Sequence, residues 1–203
     1  MAGGVPIDGQ MAGATEDDLS SVDDIVDRFD EDDLVIALSA SGSTPYPCEI
    51  AKRAHAKGTK VIAIADNAAT PLLDVADVAS VLPARAEVLA GSTRLGAGTA
   101  QKVALNIIST LATVQLGHVF QGMMVNLKAD NAKLRDRAIG IVANIANVSE
   151  QEVDRVLVAS GRDLKLVILL AKGCDPAISK RLLAEYQGRL GCCLGALEVL
   201  QKA

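Results

Sequence analysis

The 203-residue chain is poor in aromatic residues, with no Trp, two Tyr and two Phe. A core must therefore be aliphatic, and with half of all residues hydrophobic, Val, Ile, Leu and Ala are plentiful enough to build one. Cysteine is scarce too. Cys48, Cys174, Cys192 and Cys193 form no Cys-x-x-Cys pair, and neighbouring cysteines rarely bridge each other, so reduced thiols acting as small core residues are expected. The only two histidines, His55 and His118, have no partner at helical spacing and no nearby cysteine, which argues against a metal site. Basic charge is also lacking: 20 Lys and Arg stand against 25 Asp and Glu, a net charge of −5 that offers no field to a phosphodiester backbone. Nucleic acid is thereby excluded as an expected partner. No apolar run approaches the roughly 18 residues of a membrane span. Residues 1–10 show no charged stretch followed by an apolar one, so a cytoplasmic location is expected. The 17 Gly and 6 Pro are too few for a fibrous or linker-like chain.

What is present is a change of period along the chain. Leu19, Val22, Ile25, Val26 and Phe29 recur at helical spacing behind an acidic cluster, predicting a helix over 19–29. Leu34–Leu38 is then uniformly apolar, the pattern of a strand covered on both faces. A helix over 45–57 follows, started by Pro45 and stopped by Gly58, and a second apolar strand spans 61–65. A weaker repeat of the unit places a helical turn at 71–75 and a strand at 78–82. The fold class is α/β, a doubly wound parallel sheet. Beyond it the pattern turns helical: 99–116 with Thr99 as cap and Val103, Ile107, Leu111 and Val114 on one face, then 130–146 with Leu134, Ile141, Val142 and Ile145 inward. Ser149 with Glu152 forms a capping box ahead of shorter helices completed by 163–172, 176–186 and 190–200. The expected division is a sugar-phosphate binding domain over 1–148 and a helical subdomain over 149–203. Little precedes Leu34 that could pair with so apolar a strand, so part of a larger sheet is expected to be missing or supplied by another chain.

Two segments hold the candidate chemistry. Ser39, Ser41, Gly42, Ser43 and Thr44 lie between the carboxyl end of a strand and the start of a helix, where open α/β sheets bind ligands. Backbone N–H groups, the helix dipole and four hydroxyls suit a phosphate monoester there, while a hydroxyl-rich turn and cap accounts for the same residues equally well. The Gly-x-x-x-x-Gly-Lys pattern of triphosphate hydrolysis is absent. The second segment, Glu87–Lys102, is a Gly-, Ser- and Thr-rich loop with a carboxylate and Arg94, a group suited to an anion, and it runs straight into a helix.

These segments carry a resemblance. Ser39-Ala-Ser-Gly-Ser-Thr-Pro-Tyr46, Gly91-Ser-Thr-Arg94 and Gly98-Thr-Ala-Gln-Lys102, followed by Gly122-Met-Met-Val-Asn126 and Ala129-Asp-Asn-Ala-Lys-Leu134, resemble the N-acetylmuramic acid 6-phosphate etherases of the sugar isomerase (SIS) superfamily. The resemblance implies a lyase that cleaves the D-lactyl ether of its substrate to N-acetylglucosamine 6-phosphate and D-lactate, by elimination through the open-chain aldehyde and addition of water. Such chemistry needs carboxylates as acid and base and neither metal nor cofactor. It further implies Glu16 as a catalytic carboxylate, a phosphate held by Ser39, Ser41, Ser43 and Thr44, and a sugar pocket lined by Glu87, Ser92 and Thr93. A homodimer in cell-wall sugar recycling and a small C-terminal helical domain complete the implied picture. The chain differs from that family at Ser43, where Arg is usual, at Gly96, where Lys is usual, and at Asp66-Asn67-Ala68, where Cys-Asn-Pro is usual. It also starts after the family's first phosphate loop and first catalytic Glu, as an N-terminally truncated form would. The alternative is a non-catalytic sugar-phosphate binding or regulatory module of the same superfamily.

Overall fold

The structure is a computed structural model that describes residues 13–128, 130–159 and 163–202. The chain forms two compact units, 1–107 and 108–203. In the first, a 3-10 turn (Gly13–Glu16) and helix α1 (Val22–Val26) precede strand β1 (Leu34–Ser39), helix α2 (Pro45–Ala56), strand β2 (Lys60–Ala65), helix α3 (Pro71–Asp74) and strand β3 (Val78–Val81). The strands pair in the order β1-β2-β3, all parallel, with Leu34 opposite Lys60, Ser39 opposite Ala65 and Ile62 opposite Val78. This is the α/β class expected. Small residues make the helix–sheet contact close: Ala51 and Ala54 of α2 meet Ala37, Val61, Ala63 and Ala65, with Leu72 and Leu73 of α3 closing the cluster. Val22 and Val26 of α1 pack with Ile50 in a second small cluster.

Two expectations for this unit are corrected. The helix over 19–29 contracts to Val22–Val26: ahead of it the Asp18 side chain accepts from Ser20 N–H, and after it the amides of Arg28 and Phe29 bond only three residues back, to Ile25 and Val26. Strand β1 is also less covered than its apolar run suggested. Leu34 is 54% exposed, and on the edge where a missing neighbour was expected no strand pairs with β1 among the described residues.

Helix α4 (Gly96–Gln115) starts three residues earlier than the expected Thr99, so Thr99 lies within its first turn and does not cap it. Its apolar row is uncovered: Val103, Ile107, Leu111 and Val114 are all about half-exposed, and Ala97 is its one buried residue among those described.

In the second unit, β4 (Val119–Phe120) and β5 (Met123–Met124) form a two-residue hairpin over Gln121-Gly122, both at positive φ as a primed turn requires. The sequence pattern missed it because two residues are too short to show alternation. Helices α5 (Ala132–Ala146), α6 (Glu150–Ala159), α7 (Leu164–Ala171), α8 (Pro176–Glu185) and α9 (Leu190–Lys202) follow. The starts of α5 to α8 have a local cause. Asn131 accepts from Leu134 N–H, Asp163 from the amides of Lys165 and Leu166, and Asp175 from those of Ala177 and Ile178. Ser149 and Glu152 exchange bonds in the expected capping box. Ile141, Val142 and Ile145 face a core shared with Leu157, Ile168 and Leu190, while Leu134 is only half-buried. All four cysteines are free thiols; Cys174 and Cys193 fill this core, whereas Cys192 is exposed. Among the described residues no helix is long and apolar enough to cross a membrane.

Candidate functional site

The hydroxyl loop sits at the carboxyl end of β1 and is held by bonds among its own side chains. Ser39 Oγ lies 2.9 Å from Thr44 Oγ1 and 3.3 Å from Ser41 Oγ, and Ser41 Oγ accepts from the backbone N–H of Ser43 at 3.2 Å and from its hydroxyl at 3.1 Å. Gly42 N–H donates back to Ser39 Oγ at 3.0 Å. Thus Ser39, Ser41, Gly42, Ser43 and Thr44, singled out from the sequence, form one cluster. Gly42 is required: its φ is +73°, and a Cβ there would meet Thr70 Oγ1 at 2.3 Å. The carbonyl of Gly42 accepts from Leu72 N–H, tying the loop to α3.

The start of α2 differs from an ordinary anion-binding helix end. Thr44 occupies the cap position, but its hydroxyl faces the loop and caps no helical amide. Pro45 and Pro47 also remove two of the first three helical N–H groups. The donors left at this helix start are mainly the loop hydroxyls, with the amides of Thr44 and Tyr46 beside them.

The second segment gathers at the first turn of α4. Glu87 Oε1 accepts from the backbone N–H of Gly96 at 2.7 Å and of Ala97 at 3.3 Å, so the carboxylate caps the helix in the place expected of Thr99. Ser92 Oγ accepts from Arg94 N–H at 3.4 Å, and the carbonyl of Thr93 accepts from Gly98 N–H at 2.9 Å. Thr93 and Arg94 are exposed, while Ser92 and Glu87 are half-buried.

Glu16 ends the 3-10 turn with an exposed side chain, and among the described residues no hydrogen bond links it to the hydroxyl loop. The acidic N-terminal segment is tied to α2 by the ion pair in which Arg53 donates to Asp23, and Ser21 Oγ lies 3.4 Å from Tyr46 Oη.

Asp66 and Asn67, noted in the sequence only for their departure from the Cys-Asn-Pro pattern, bond to both candidate segments. Asp66 accepts from Gln101 Nε2 at 2.8 Å, and Asn67 Nδ2 donates to the carbonyl of Ser41 at 3.4 Å. Their position at the carboxyl end of a parallel strand, level with the hydroxyl loop, was the available signal. Among the described residues no group of three or more His, Cys, Asp or Glu is placed to hold a metal ion.

Residues 9–111 match the SIS domain family. Curated N-acetylmuramic acid 6-phosphate etherases from Salmonella schwarzengrund (strain CVM19633), Salmonella agona (strain SL483) and Salmonella enteritidis PT4 (strain P125109) are each 39% identical to this chain over 188 residues, or 92% of its length. The chain spans 61% of the length of these relatives. A match that covers half of the chain, on a parallel α/β sheet whose hydroxyl loop lies at the strand ends, shows that the chain belongs to the SIS domain family.

Proposed function

We propose that this chain is part of a carbon–oxygen lyase that opens the D-lactyl ether of N-acetylmuramic acid 6-phosphate, releasing D-lactate and N-acetylglucosamine 6-phosphate in the cytoplasm. The carrying observation is the agreement of two things: 39% identity to the Salmonella etherases over 92% of the chain, and a hydroxyl cluster formed by Ser39, Ser41, Ser43 and Thr44 at the strand ends. In this reading those hydroxyls hold the phosphate and Arg94 adds a cation for it. Ser92, Thr93 and the free oxygen of Glu87 line the sugar. The reaction removes a proton next to the open-chain aldehyde, expels lactate from the neighbouring carbon and adds water to the resulting double bond. Glu16 serves as one of the carboxylates that move these protons. The protein works as a homodimer, and the uncovered apolar row on α4 supplies a surface suited to association.

D-Lactate release from N-acetylmuramic acid 6-phosphate by the purified chain tests this reading, with Glu16→Gln measured beside it. Release by the natural chain and at least a hundredfold loss in the variant is the expected result. Unchanged turnover in Glu16→Gln removes Glu16 from the mechanism. A second reading, a sugar-phosphate binding module without catalysis, is favoured by the exposure of Glu16 and by the lack, among the described residues, of a bond from it to the hydroxyl loop. A thermal shift with N-acetylglucosamine 6-phosphate, without any lactate, selects it.

A further inference from the structure

The two segments of the candidate site are some fifty residues apart in sequence, and a residue outside both touches each of them. Asp66 follows β2 directly. Its backbone N–H donates to the carbonyl of Ala40 within the hydroxyl loop at 3.1 Å. Its Oδ2 accepts at 2.8 Å from Gln101 Nε2, in the second turn of α4. The other carboxylate oxygen, Oδ1, is enclosed and has no hydrogen-bond partner among the described residues.

That arrangement is costly for an ionised carboxylate. An enclosed oxygen without a donor loses its hydration and gains nothing in return. Among the described residues no cation is paired with it: residues 39–45 and 67–71 carry no charge, and its partner on α4 is the neutral amide of Gln101. Burial pushes the Asp66 carboxyl above its ordinary range, against the opposing effect of the Gln101 bond. A group kept under such conditions is held there by what it connects. It is also an anion beside a loop that, in the reading above, receives a second anion.

We infer that Asp66 is a positioning residue of the phosphosugar site, joining α4's Gly96–Lys102 segment to the hydroxyl loop through Gln101, and that its negative charge lowers affinity for the phosphate. The inference rests on the proposed phosphosugar reading for its second half only; the joining role stands on the two hydrogen bonds.

Asp66→Asn and Asp66→Ala separate the two effects. Asn retains an acceptor for Gln101 and removes the charge, whereas Ala removes both. Hydrogen exchange of the unliganded protein is the first measurement: peptides covering 96–102 should exchange at least threefold faster in Asp66→Ala and in Gln101→Ala, with Asp66→Asn close to the natural chain. Unchanged exchange in both Ala-type variants overturns the joining role, and Gln101→Ala decides it alone if Asp66→Ala fails to fold. The second measurement is affinity for N-acetylglucosamine 6-phosphate. Asp66→Asn should bind about threefold to tenfold more tightly than the natural chain, and Asp66→Ala more weakly. A purely structural role would weaken both, which overturns the charge effect. Absence of any binding by the natural chain overturns the phosphosugar reading and with it the charge effect, while the exchange result still decides the joining role.

Discussion

The carboxylate of Glu87 and the backbone of Gly96 form the entry to α4, with Oε1 accepting at 2.7 Å from the amide nine residues ahead and at 3.3 Å from Ala97. Helix starts leave several N–H groups unpaired, and a carboxylate both pairs with them and complements the positive end of the dipole. One side chain thereby gives the crossover between β3 and α4 a defined end. Removing this cap as Glu87→Ala should cost about 1 kcal/mol, a fall of roughly 2–4 °C in Tm for a domain of this size. Thermal unfolding of the variant checks it, and an unchanged Tm refutes the capping role.

Gly42→Ala tests the hydroxyl loop. The added methyl group would stand 2.3 Å from Thr70 Oγ1 and 2.5 Å from Thr70 Cβ, at a φ of +73° that L-residues seldom adopt. Thr70 is itself buried and cannot easily withdraw. A loss of about 1–3 kcal/mol is expected from backbone strain, seen as a lower urea midpoint, together with loss of phosphosugar binding. A variant as stable as the natural chain would show that the loop relaxes freely.

Asp77 gives the first unit an acid-sensitive joint. Lys60 Nζ donates to it at 2.7 Å and Val61 N–H at 2.9 Å, with His55 Nδ1 3.4 Å away, and these groups, Lys60 foremost, hold its carboxyl down at about 2. A carboxylate whose folded value is depressed binds protons more weakly than in the unfolded chain. Its contribution is present above about pH 4 and is lost as pH falls toward 2. Acid unfolding of Asp77→Asn should therefore be flatter over that interval than that of the natural chain. Because the group is near the surface, salt should shrink the difference. Identical profiles would remove Asp77 as a contributor.

Ile107, Leu111 and Val114 of α4 are 53%, 58% and 46% exposed and recur at i, i+4 and i+7. If this row lies in the proposed homodimer, Ile107→Lys with Leu111→Lys should convert the sedimenting species from dimer to monomer without lowering helix content. A dimer that survives both changes places the interface elsewhere.

Much of the architecture was legible from short-range chemistry. Leu34–Leu38 and Val61–Ala65 read as strands because an apolar run bounded by Asp33 and Ser39, or by Gly58 and Asp66, has few other ways to be covered. The helices expected from 130, 149, 163 and 176 were readable for a similar reason, a cap acting within three residues of itself, and Ser149 with Glu152 was the cap read as such. The hydroxyl cluster also followed from its place between strand and helix. By contrast, the Gln121-Gly122 hairpin escaped because its strands have two residues each. The helix expected over 19–29 came out shorter because Asp18 bonds the Ser20 amide and the chain after Val26 closes in three-residue turns, which helical periodicity does not record.

What the sequence alone determined is thus the class of the fold, the order of its elements and the identity of the loop that faces the strand ends, since each depends on contacts between residues close in the chain. Only the tertiary structure decided that Glu87 and not Thr99 caps α4, and that Asp66 bonds both Gln101 and the hydroxyl loop. Those facts rest on pairs 9 to 35 residues apart, whose meeting is set by how strands and helices pack and by which polar groups are left without water, not by any local preference.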